Sequence, residues 1–143
     1  MRRWVWRFTG AMGMGLILSW PGAPTVQEAQ ACKCEHGENG VEFAKDFDQV
    51  FLGVVLGTLP SGCNEGMWTQ RTRFKVEEAF VGVEVGEVVV VKHRIHGPAC
   101  GRRFDQWDKR VVYAFDGYTS GCSTFDPGDN QAFLRDLRAE FGE

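Results

Sequence analysis

Trp68-Thr69-Gln70-Arg71-Thr72-Arg73-Phe74-Lys75-Val76-Glu77-Glu78-Ala79-Phe80 is the stretch that decides the fold. Trp68, Gln70, Thr72, Phe74, Val76 and Glu78 form one alternating set; Thr69, Arg71, Arg73, Lys75 and Glu77 form the other. Side chains alternate across a strand, and the second set is wholly polar. The spacing therefore predicts a long strand with one wet face, the mark of an antiparallel sheet.

Outward from it the chain reads as further strands. Val50–Leu59 is apolar and β-branched, with Gly53 and Gly57 inside it, and reads as a buried strand bulged at the glycines. Pro60–Gly66 reads as a turn holding Cys63. Glu87–His93 is Val-rich, Arg110–Phe115 is another strand, and Tyr118–Phe125 is a short last strand carrying Cys122. Val41–Asp48 has helical spacing at Phe43, Ala44 and Phe47. At the C-terminus, Asp129 or Asn130 is placed to cap a helix with Phe133, Leu134, Leu137 and Phe141 on one face, and Gly142 to end it. The expected fold is mainly β: a five-stranded closed barrel of the oligonucleotide/oligosaccharide-binding type, with a short N-terminal and a C-terminal helix.

The 143 residues leave room for one small domain. Apolar residues are 43% and charged residues 24%, ordinary globular values. Arg2, Arg3 and Arg7 precede an apolar run from Phe8 to Trp20, which is too short to span a bilayer and matches a secretory signal. Ala29-Gln30-Ala31 is a cleavage site that releases Cys32 as the first residue. The expected layout is a signal peptide at 1–31 and one domain at 32–143, in a secreted, extracellular or periplasmic protein. Lipid attachment at Cys32 is disfavoured, because a lipidation box wants an aliphatic residue at Ala29 and a small one at Gln30. The precursor's net charge is −3; residues 1–31 carry three Arg and Glu28, a net +2, so the remainder is near −5. That excludes a general nucleic-acid binder.

All five cysteines, Cys32, Cys34, Cys63, Cys100 and Cys122, follow the cleavage site. An odd count leaves at least one thiol out, and spacing does not choose among the pairings. Cys32 and Cys34 are too close to bridge each other without strain, so each seeks a distant partner. An intrinsic metal site at Cys32, Cys34 and His36 lacks a second ligand pair: His93 and His96 face opposite sides of an extended segment. No cofactor is expected. None of Gly-x-Ser-x-Gly, His-Glu-x-x-His or Gly-Lys-Ser/Thr occurs, so an enzyme is not expected. Trp68 and Trp107 are expected to pack in the core or at its rim. Arg102, Arg103, Lys109 and Arg110 form a local basic cluster that reads as a solvated face.

Cys32-x-Cys34, Cys100-Gly101 and Cys122-Ser123, set around Phe51-Leu52-Gly53-Val54-Val55 and Phe74-x-Val76-x-x-x-Phe80-x-Gly82, resemble the tissue inhibitors of metalloproteinases. The likeness runs from Cys32 to about Phe125 and is to the single N-terminal, netrin-like domain of that family. It implies bridges Cys32–Cys100 and Cys34–Cys122, with Cys63 a free thiol. It also implies inhibition of an extracellular zinc metalloproteinase. The α-amino nitrogen and carbonyl oxygen of Cys32 would chelate the protease's zinc, Lys33 would enter the adjoining pocket, and Cys34, Pro98, Ala99 and Cys100 would flank it. Family members carry a small uncharged residue where Lys33 stands. Burying an unpaired ammonium costs several kcal/mol, so the alternatives are an acidic pocket, a Lys33 turned to solvent, or a chain that does not inhibit this way. The alternative function is a noncatalytic extracellular netrin-like interaction module. A monomer is expected, with a Cys63-linked dimer as the alternative; neither a nucleic-acid partner nor a membrane span is expected.

Overall fold

Strand β2 (Met67–Val81) behaves as its alternation requires: Thr72, Phe74 and Val76 are buried, and Arg71, Arg73, Lys75 and Glu77 are exposed. It belongs to a computed structural model that describes residues 34, 40–64, 67–96 and 100–142. The leader at 1–31, Cys32, Lys33, Pro98 and Ala99 lie outside the described residues. In chain order the elements are α1 (Gly40–Ala44), β1 (Gln49–Asn64), β2, β3 (Val88–Arg94), β4 (Lys109–Ala114), β5 (Thr124–Phe125) and α2 (Gln131–Phe141). The strands form one antiparallel sheet ordered β3-β2-β1-β4-β5.

β1 is central and buried on both faces. Phe51 and Val55 join Phe74, Val76, Val89, Val91 and Val112 in one cluster. Val50 and Leu52, one residue out of phase, join Val111, Tyr113, Phe125, Leu134 and Leu137 in the other. The alternation of side chains thus feeds two cores from the same strands. The helices cover the second core. Leu134 and Leu137 of α2 are buried and Phe133 and Phe141 half-buried, the face expected from the sequence. Phe43 and Phe47, from α1 and the turn after it, meet Tyr113 with ring centroids 4.9 and 5.4 Å apart. Phe104, from the β3–β4 connection, plugs the first core against Phe74 at 5.4 Å and His93 at 4.7 Å.

Several expectations are corrected. The barrel is not closed. β3 and β5 are the two ends of the sheet, and β5 is only two residues long. The chain at 119–123, expected as strand, is irregular backbone with a turn at Gly121 and Cys122. Its backbone N–H groups at Ser120 and Cys122 donate to the Ser123 and Ser120 hydroxyls, which removes them from a ladder. An isolated parallel bridge between Lys92 and Tyr118 ties this segment to β3. β1 runs on through Pro60 and Cys63, because register shifts at Val55/Gly57 and Pro60/Cys63 absorb the proline. α1 is one turn long rather than two. Asn130 precedes α2, but its side chain makes no capping hydrogen bond; Gly142 does end the helix, donating to the Arg138 carbonyl at 3.0 Å. Trp68 and Trp107 are 51% and 67% exposed, not core. No helix among the described residues is long and apolar enough to cross a membrane.

Candidate functional site

Cys34 bridges Cys122, with Cα atoms 5.1 Å apart and a sequence separation of 88. Cys100 is also disulfide-bonded. Its expected partner, Cys32, lies outside the described residues. Gly121 joins the two cysteine segments: its N–H donates to the Cys100 carbonyl at 2.8 Å. Of the six residues expected to face a protease, the structure therefore brings Cys34 and Cys100 to one knot. The other four, Cys32, Lys33, Pro98 and Ala99, lie outside the described residues.

The glycines of this knot have steric reasons. A Cβ on Gly121 would sit 2.5 Å from the Cys100 carbonyl oxygen. A Cβ on Gly101 would collide with the backbone of His96, whose carbonyl accepts from Gly101 at 2.7 Å. Cys100 itself takes φ +53°, the left-handed region that side chains disfavour. Two flanking glycines that permit close approach, and the disulfide, hold it there. The Cys100-Gly101 and Gly121-Cys122 pairs are thus packing requirements of one junction.

Hydroxyls stiffen the Cys122 side of the knot. Thr119 Oγ1 donates to the Tyr113 carbonyl at 2.8 Å and lies 3.0 Å from Thr124 Oγ1. Thr124 Oγ1 donates to the Ser120 carbonyl at 3.0 Å. Buried hydroxyls with this many partners fix a turn that apolar contacts alone would leave loose. Sequence reading missed this network. Its available signal was the run Thr119-Ser120-Gly121-Cys122-Ser123-Thr124, which is turn-forming rather than strand-forming.

Two clefts flank the disulfide. One, of about 510 Å³, is lined by Phe43, Phe47, Phe115 and Tyr118 and reaches Cys122. The other, of about 410 Å³, is polar and runs from Cys34 past Arg102, Arg103 and Arg110 to Asp126. Arg110 is held by Asp108 at 2.9 Å and Asp126 at 3.3 Å. Arg102 is half-buried; burial, and then the nearby Arg110 charge, lower its pKa from the ordinary guanidinium value. The basic cluster is therefore partly a built, paired structure and not simply a solvated face. Lys109 stands apart from it, paired with Glu77 at 2.8 Å.

His93 and His96 do face opposite ways: His93 is buried and His96 exposed. Thr72 Oγ1 lies 2.7 Å from His93 Nε2, and His93 Nδ1 lies 3.3 Å from the Arg94 carbonyl. A carbonyl only accepts, so Nδ1 carries the proton and Nε2 accepts from Thr72. Desolvation lowers the pKa of His93, which keeps it neutral. No group of three or more His, Cys, Asp or Glu suited to a metal occurs among the described residues. Cys63 is a free and exposed thiol near the end of β1.

No protein-family model matches this chain, and no curated protein matches it.

Proposed function

We propose that this protein is a secreted, netrin-like inhibitor of an extracellular zinc metalloproteinase, acting through an N-terminal Cys32. The observation that carries the reading is the Cys34–Cys122 bridge, joined to the disulfide-bonded Cys100 through Gly121. That junction supports the two segments from which the protease-facing ridge would be built. The sheet is open, so the reading rests on this cysteine junction and not on a closed barrel.

The chemistry follows from an open zinc position. A protease zinc keeps one coordination site for water. The α-amino nitrogen and carbonyl oxygen of a leading Cys32 would close a five-membered chelate there and displace that water. The amine must be neutral to donate, and its reference pKa near 8 makes the proton cheap to remove. A Cys32–Cys100 bridge would anchor the chelating residue to a rigid support and reduce the entropy lost on binding. Lys33 would then meet an acidic pocket or turn to solvent.

Adding one Ala before Cys32 tests this directly. The extended protein should keep its fold and bridges and lose inhibition across a panel of zinc proteases. Undiminished inhibition would sink the chelation mechanism. A correctly bridged wild-type protein that inhibits nothing in the panel would favour the noncatalytic interaction module.

A further inference from the structure

The exposed face of β2 and β3 carries a cationic patch outside the disulfide knot. Arg71, Arg73 and Lys75 stand at alternate positions of β2, all exposed. In register, Arg71 faces the exposed Lys92 of β3 directly. Like charges opposite one another across a sheet destabilise it, and a protein with a net acidic charge has carboxylates to spare for relief. None is used: among the described residues no carboxylate forms an ion pair with Arg71, Arg73, Lys75 or Lys92. Glu77, the next outward residue of β2, is taken by Lys109 at 2.8 Å. Aliphatic side chains separate the charges. Val90 faces Arg73 and Val88 faces Lys75, at 44% and 49% exposure, and Leu59 flanks Arg71 from β1 at 41%.

The geometry points to a binding face for an acidic polypeptide segment in extended conformation, with carboxylates at alternate residues. Charge complementarity supplies the attraction, and the spacing supplies the class. Alternate residues of a strand are roughly 6.8 Å apart, so Arg71, Arg73 and Lys75 repeat at the same interval as alternate side chains of an extended peptide. Val88, Val90 and Leu59 offer apolar contact to aliphatic side chains of such a partner. A sulfated polysaccharide brings little apolar surface to match them. A single-stranded nucleic acid wants successive aromatic stacking platforms, and among the described residues these rows offer one aromatic, Tyr118, at the margin beside Lys92. The face is independent of the chelation mechanism, which uses none of these residues.

The test uses fluorescence anisotropy with a labelled dodecapeptide of alternating Glu and Val as probe, titrated with the purified protein at low and moderate salt. Binding that weakens as salt rises is expected. The triple variant Arg71→Glu/Arg73→Glu/Lys75→Glu should bind at least about tenfold more weakly, while Arg135→Glu, at an exposed position of α2, should match wild type. All three positions are exposed, so thermal melting should stay close to wild type. No binding of the peptide, or equal binding by the triple variant, overturns the inference. So does tighter binding of a heparin-type oligosaccharide or an oligonucleotide than of the peptide, which would assign the face to a different polymer.

Discussion

Replacing Cys34 and Cys122 together by Ser removes the Cys34–Cys122 bridge and leaves no stray thiol from that pair to exchange with the free Cys63. The bridge spans 88 residues, and on the chain-entropy estimate a loop of that size contributes about 4.5 kcal/mol. A bridge between Cys32 and Cys100 would shorten the remaining path. The chain could then pass from Cys34 to Cys122 through that bridge in about 24 residues, which lowers the contribution to about 3.5 kcal/mol. The expected loss therefore lies between these figures, nearer the lower one because Cys100 is itself disulfide-bonded. For a domain of this size each kcal/mol moves the melting temperature by roughly 4 to 8 °C, so a fall of about 15 to 35 °C is expected. Urea unfolding of the oxidised protein is the assay. The m-value should also rise, because the uncrosslinked denatured chain exposes more surface. A loss below about 1 kcal/mol, with a peptide map showing the wild-type bridge fully formed, would refute the account of the knot as a constraint on the unfolded chain.

Other predictions follow from the packing. Phe74→Ala should cost about 3 to 5 kcal/mol in urea denaturation, since the ring is fully buried against Phe51 and Phe104. Gly121→Ala should destabilise the protein and slow recovery of the native bridges on oxidative refolding, because the added Cβ meets the Cys100 carbonyl; a wild-type melting curve would contradict the packing argument. His93 has a lowered pKa in the fold, so its neutral form is the one the fold favours. Its contribution is present above the unfolded value near 6.5 and declines as pH falls below it, where the unfolded chain takes up the proton first. Wild-type stability should therefore fall between about pH 7 and 5, with a shallower slope in His93→Gln; equal slopes would exclude His93 as the cause. Cys63 should react with a thiol reagent in the native protein without denaturant, and a native protein that stays unreactive would show the thiol to be covered.

Much of the strand framework was legible because burial imposes a period of two. The wet face of β2 could be read from Arg71, Arg73 and Lys75, and the apolar face of α2 from Phe133, Leu134, Leu137 and Phe141, since each pattern is local. The Cys34–Cys122 pairing was legible only through family resemblance, since spacing alone leaves the alternatives open. The exposed positions of Trp68 and Trp107 were not legible, because an aromatic residue carries no local mark of which neighbours reach it.

What the sequence by itself determined is the set of elements and their faces, together with a cysteine framework that demands distant partners. What the tertiary structure decided is how the sheet ends. The hydroxyls of Ser120, Ser123 and Thr124 compete with the ladder and turn the chain at Cys122, so β5 shrinks to two residues and the sheet stays open. The tertiary structure also set Arg71 opposite Lys92, a like-charge pair that depends on strand register between segments about 20 residues apart. Hydrogen-bond competition and register are settled by which groups meet in space, and periodicity along one strand carries no record of either.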